Sequence, residues 1–191
     1  MPFYPDERIA IFIDGANFYS TTKSLDFDID YKNLLKFFSA KGRMIKAYYF
    51  TALRENDDFS PLRPLLDWLD YNGFHIITKK AKTFTDRDGR TRIKGDMDIE
   101  ITVKMLDLAP HVDHMLLFSG DGDFKAAVEA VQRQGVRVTV VSSMNTKPSL
   151  LADELRRQAD DFIEIDDLER EVGRPKRERS DYDDDDDFGY E

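Results

Sequence analysis

Apolar runs of strand length alternate with amphipathic segments along most of this chain. Residues 8–14 (RIAIFID) are almost continuously apolar up to a terminal Asp-Gly, the pattern of a parallel strand buried on both faces. A loop follows, then a short helix over residues 30–38 (DYKNLLKFF) and a strand over 43–50 (RMIKAYYF). Ser60-Pro61 fits the N-cap and first position of a helix that runs to Tyr71 and stops at Asn72-Gly73. The alternation continues with a strand at 74–78, a polar loop, a helix from about 96 to 108 and a strand at 115–118. It ends with a helix at 123–134 stopped by Gly135, a β-branched strand at 136–141, a helix at 148–158 and a strand at 162–165. This order predicts an α/β fold with a mostly parallel central sheet, helices on both faces, and a ligand site beyond the carboxyl ends of the strands. The open edges of such a sheet leave pairing into a homodimer as an option.

Composition narrows this picture. A chain of 191 residues, 41% hydrophobic, supports one domain with a sizeable core. The absence of cysteine excludes disulfides, thiolate metal sites and a cysteine nucleophile, and fits a reducing compartment. No signal pattern opens the sequence, and no apolar run approaches the roughly 20 residues of a membrane helix, so a cytoplasmic protein without membrane contact is expected. No glycine-rich phosphate loop of the Walker or dinucleotide type follows any strand, which argues against ATP and NAD.

The net charge of −10 is unevenly placed. The stretch from Ser180 holds seven acids and no base, leaving −3 for residues 1–179. A folded domain is expected over 7–168, followed by a disordered tail, 169–191, that is first basic and then acidic. The acidic end reads as a solubilising segment or as a nucleic-acid mimic competing for basic residues elsewhere.

The chemistry lies in carboxylates that a parallel sheet would gather. Asp14 follows the first strand, Asp96 and Asp98 open a helix, and Asp121 and Asp123 follow the strand at 115–118. Gly120 and Gly122 leave room for a tight turn that bends the last two toward one point. Converging aspartates without histidine match the preference of Mg²⁺ or Mn²⁺ for oxygen ligands. Asn17 can supply an amide oxygen or orient water, and Ser119 can hydrogen-bond a carboxylate or phosphate oxygen. Each acid also has a plainer reading: Asp96 and Asp98 can offset a helix dipole, and Asp123 can cap a helix. Together they favour a cation, because clustered carboxylates repel without one. His75, His111 and His114 share no ligand spacing and suit surface or partly satisfied positions. A phosphatase with an aspartate nucleophile needs a second acid two residues on, whereas Asp14 is followed by Gly15 and Ala16.

Immediately before Asp96 lies the clearest cationic segment, with Lys79, Lys80, Lys82, Arg87, Arg90, Arg92 and Lys94 against Asp86 and Asp88. Asp88-Gly89 suggests a hairpin-like turn, and Phe84 offers a ring for base stacking. A solvated loop is the plainer reading; its place beside the acids favours contact with a phosphate backbone.

Three motifs, IFIDGANFY, KGDMDIEI and LLFSGDGDF, in this order and spacing resemble the NYN domain, its LabA-like branch in particular. The resemblance spans roughly residues 8–168 and implies a Rossmann-like three-layer sandwich similar to PIN-domain nucleases. It implies a divalent-metal-dependent endoribonuclease with Asp14, Asp98 and Asp121 as ligands of Mg²⁺ or Mn²⁺, and Asp123 as a further catalytic acid. Asn17, Ser119, Asp96 and Glu100 are then supporting residues. Single-stranded RNA is the implied partner, contacted by Lys80, Lys82, Arg90, Arg92, Lys94 and Lys104. The sequence departs from the pattern at Lys104, where many NYN sequences carry a further acid. LabA-like proteins are also associated with regulation of gene expression, so a catalytically weak RNA- or protein-binding module is the alternative.

Overall fold

The computed structural model describes residues 3–54, 62–85 and 91–174. The chain runs β1 (Arg8–Asp14), α1 (Gly15–Ser24), α2 (Tyr31–Ser39), β2 (Arg43–Arg54), α3 (Arg63–Tyr71), β3 (His75–Thr85), β4 (Thr91–Lys94) and α4 (Asp98–Leu108). It continues with β5 (His114–Phe118), α5 (Lys125–Gln132), β6 (Arg137–Ser142), α6 (Asp153–Gln158), β7 (Asp161–Glu164) and α7 (Glu169–Val172). The strands form one sheet in the order β4-β3-β2-β1-β5-β6-β7. Six strands are parallel; β4 alone runs antiparallel, against β3. The mostly parallel α/β architecture expected from the alternation is therefore present.

β1 explains why the sheet is covered on both faces. Ile9, Ile11 and Ile13 enter one core with Phe18, Leu34, Phe38, Leu69 and Phe74, while Ala10 and Phe12 enter the other with Ile101, Met105, Val128 and Val131. Successive strand side chains point to opposite faces, so an uninterrupted apolar strand is stable only between two helical layers. From β1 the order grows outward in both directions, through β2 on one side and β5 on the other. Such a reversal opens a crevice at the carboxyl ends of the two central strands. Asp14 ends β1 there, and Ser119 follows β5.

Several elements differ from expectation. The loop after Asp14 is helix α1, whose Gly, Ser and Thr content gives little helix propensity. It forms because the Asp14 side chain caps it and because Phe18, Thr21 and Thr22 are buried. The polar segment after residue 78 is strand: β3 runs on to Thr85 and pairs with β4, Lys82 opposite Lys94 and Phe84 opposite Arg92. The Asp88-Gly89 turn and Ser60-Pro61 lie outside the described residues. α4 begins at Asp98 rather than Asp96. α6 begins at Asp153, because residues 143–152 make a loop with side chain to backbone bonds, such as Leu150 N–H to Thr146 Oγ1 at 2.9 Å.

The fold also continues past residue 168. α7 buries Val172, the Asp30 amide donates to Val172 O at 2.8 Å, and the Arg174 amide donates to Asp28 O at 2.8 Å. One valine in a charged stretch gives no periodicity to read. His114 is fully buried, contrary to the surface or partly satisfied position expected for it. Its Nε2 lies 2.7 Å from Thr139 Oγ1, and its Nδ1 lies 3.2 Å from an Arg137 nitrogen and 3.5 Å from Glu7 Oε2. Burial first, then Arg137, lowers its pKa to about 4, so the ring is neutral at pH 7. No helix among the described residues is long and apolar enough to cross a membrane.

Candidate metal centre at the strand ends

Three places in the fold deliver carboxylates to the crevice. Asp14 is the last residue of β1 and the N-cap of α1, its Oδ1 accepting from the Asn17 amide at 3.2 Å. Asp98 is the first residue of α4. Asp121 follows β5 and caps a short helical turn, accepting from the Asp123 amide at 3.0 Å. Asp123 does not cap the helix that follows: α5 begins at Lys125 after Phe124 and has no side-chain cap. Asp14, Asn17, Gly95, Asp96, Asp98, Asp121 and Leu150 line one open cleft of about 270 Å³.

One carboxylate oxygen from each of Asp98, Asp121 and Asp123 lies within 4.8 Å of the other two; Asp98 and Asp121 line the cleft, and Asp123 is exposed beside it. Asp14 stands beside this trio, only 7% exposed, with Oδ2 accepting from Ser119 Oγ at 3.0 Å. Ser119 Oγ in turn accepts from the Asp121 amide at 3.2 Å, and Asn17 Oδ1 accepts from the Gly120 amide at 2.9 Å. Asn17 and Ser119 therefore tie the end of β1 to the turn after β5. Gly120 is required by close approach: a β-carbon there would sit 2.1 Å from Leu150 O.

The electrostatics fit a cation. Burial first, then Asp121, Asp96, Asp14 and Asp123, raises Asp98 to about 6. Asp14 is raised chiefly by burial, against which the Asn17 and Ser119 bonds pull it down. An all-oxygen set whose charges resist one another matches a hard divalent ion.

The remaining expected residues take other places. Glu100 is held by Lys79, whose Nζ is 3.1 Å from Oε1 and also donates to Asp96 O at 3.2 Å. Lys79 thus braces the start of α4, a role that the cationic run in the sequence did not single out. Asp96 is exposed at the cleft rim. Lys104 lies six residues, about 9 Å, along α4 from Asp98, 3.8 Å from Asp107 and 6.0 Å from the centre of the Tyr48 ring. Lys80 is exposed on β3; Lys82 lies on β3, and Arg92 and Lys94 on β4; Arg90 is outside the described residues. β4 leads directly into the cleft, whose lining begins at Gly95.

The NYN domain model matches residues 8–166, which include every acid of this centre. The chain belongs to the NYN domain family. This places it in the PIN-like nuclease superfamily. It is 32% identical over 181 residues to "Low amplitude and bright protein LabA" of Synechococcus elongatus, covering 93% of each chain. It also resembles the crystal structure of a protein of unknown function from Vibrio parahaemolyticus, with a TM-score of 0.69 and 32% identity. That match covers 87% of this chain and 98% of the other.

Proposed function

We propose that this NYN domain is a divalent-metal-dependent endoribonuclease. The observation that carries the reading is the convergence of Asp98, Asp121 and Asp123 within 4.8 Å at the crevice of a parallel sheet. Those three would hold Mg²⁺ or Mn²⁺, with Asp14 as the fourth carboxylate facing the same cleft. A bound ion of this class supplies charge neutralisation on a phosphodiester and an activated water. The protein's own part is positioning. Ser119 and the Asn17 amide fix the orientation of Asp14, Asn17 Oδ1 fixes the turn that presents Asp121, and Lys79 holds the first turn of α4 that presents Asp98.

RNA would approach along the β3–β4 hairpin. It carries Lys80, Lys82, Arg92 and Lys94 and ends one residue before the cleft. Cations there neutralise the backbone on either side of the scissile bond, and a single strand suits an open cleft flanked by a ribbon. A second reading has support of its own. Glu100 is paired with Lys79, and position 104 is a lysine paired with Asp107, so neither adds a free acid to the centre. An RNA-binding regulator with weak turnover would look the same.

Incubation of purified protein with labelled single-stranded RNA and Mn²⁺ separates the two. A nuclease gives internal cleavage that EDTA abolishes and that Asp121→Asn and Asp98→Asn each remove. Salt-dependent binding without cleavage assigns the regulatory role, and cleavage equal in wild type and both variants excludes this centre.

A further inference from the structure

A second group of buried oxygens lies at the carboxyl end of the same sheet, beyond the aspartate trio. β6 and β7 end side by side at Ser142 and Glu164. These two are register partners in a parallel pair, so their side chains leave the same face. Ser142 is 1% exposed, and its Oγ has no hydrogen-bond partner. Glu164 Oε1 and Asp166 Oδ1 are likewise shielded from solvent and without a partner. The other oxygen of each carboxylate is engaged: Glu164 Oε2 accepts from the Met144 amide at 3.0 Å, and Asp166 Oδ2 from Asn145 Nδ2 at 3.0 Å. Two carboxylates thus grip consecutive residues of one loop while each keeps an unused oxygen inside the protein. Neither forms an ion pair with any basic side chain among the described residues.

Shielded carboxylate oxygens without donors are costly, and a bound cation offsets that cost. We propose that Ser142, Glu164 and Asp166 form a second, structural cation site, separate from the Asp98–Asp121–Asp123 centre and suited to Ca²⁺. The donors are all oxygen, as hard cations require. Mg²⁺ demands near-octahedral geometry and keeps several waters, whereas Ca²⁺ accepts irregular sets of protein oxygens.

The site has a consequence for the first centre. The loop it grips, residues 143–152, carries Leu150 into the lining of the aspartate cleft, and the Ala152 amide donates to Gly120 O at 2.8 Å. An ion between β6 and β7 therefore fixes the wall against which Gly120 rests.

The test uses the full-length chain carrying Asp98→Asn and Asp121→Asn, which disables the first centre, after dialysis against a chelator. Its melting temperature is measured with and without millimolar Ca²⁺. The expected result is a rise of several degrees, abolished when Glu164→Gln is added and, independently, when Asp166→Asn is added. Circular dichroism confirms that each variant is folded before Ca²⁺ is added. Identical melting curves with and without Ca²⁺, as a site filled by water would give, overturn the proposal. So does a rise that persists in both added variants, which places the ion elsewhere, the acidic tail included. RNA cleavage enters nowhere, so this outcome and the nuclease reading stand or fall separately.

Discussion

Ser119 Oγ donates a 3.0 Å hydrogen bond to Asp14 Oδ2, joining residues 105 apart in sequence at the carboxyl ends of the two central strands. Asp14 is almost fully buried, so this bond and the Asn17 amide hold its carboxylate at the cleft. Ser119→Ala removes one of these donors from a buried charge. The expected outcome is a loss of about 1.5–3 kcal/mol of stability and a roughly 10- to 100-fold drop in metal affinity or turnover. Denaturant unfolding and Mn²⁺ titration measure the two. An unchanged affinity would mean that Asp14 does not depend on Ser119 for its placement.

The raised pKa of Asp98, about 6, gives two linked pH effects. Metal binding must displace the proton, so Mn²⁺ affinity falls as pH drops through about 6. Stability without metal runs the opposite way. Because the folded-state pKa lies above the unfolded value of 3.8, the contribution is fully present below that value and is lost as pH rises through about 6. Asp98→Asn therefore stabilises the metal-free protein at pH 7.5, by roughly 1 kcal/mol once solvent screening is allowed for. Scanning calorimetry in chelator decides it; a lower melting temperature for the variant contradicts the argument from burial and repulsion.

His114 sets a second pH window at the opposite end of β5. Its folded-state pKa of about 4 lies below the ordinary value of 6.5, so the stability from its neutral form is present above 6.5 and lost as pH falls through 4. Over that interval the loss should reach roughly 2–3 kcal/mol. His114→Gln should flatten the melting-temperature profile between pH 6.5 and 4. A profile as steep as that of wild type would assign the acid sensitivity to other groups.

For the hairpin, the expected readout is the salt dependence of RNA binding. Replacing Lys80, Lys82 and Lys94 together by alanine should lower the slope of log K against log salt by about 2, near 0.7 for each phosphate that a lysine no longer neutralises on a single strand. An unchanged slope would exclude β3–β4 as the RNA path.

Most of the fold and part of the centre were legible in the sequence, for reasons visible in particular residues. β1, β5 and β6 were readable because buried parallel strands are continuous apolar runs, and α2 because its apolar positions follow a helical period. α1 was hidden because its helix rests on one cap and on buried Phe18, neither of which shows as periodicity. β4 was hidden because four residues with one apolar position give no alternation to read, so only the turn signal hinted at it. Asp14, Asp98 and Asp121 were legible from their places at strand ends and a helix start. The mutually close set is Asp98, Asp121 and Asp123, and Asp14 stands beside it, hydrogen-bonded to the Asn17 amide and to Ser119. The pairing of Glu164 with Ser142 depends on the register of β6 and β7, which no local pattern encodes.

Whether the trio of aspartates holds the metal is decided by crystals soaked in Mn²⁺ and examined by anomalous diffraction. The expected result is a peak bounded by Asp98, Asp121 and Asp123, with carboxylate oxygens at about 2.0–2.6 Å, and its loss in Asp121→Asn. Saturating Mn²⁺ with no density at the trio, or density that survives Asp121→Asn unchanged, would contradict it.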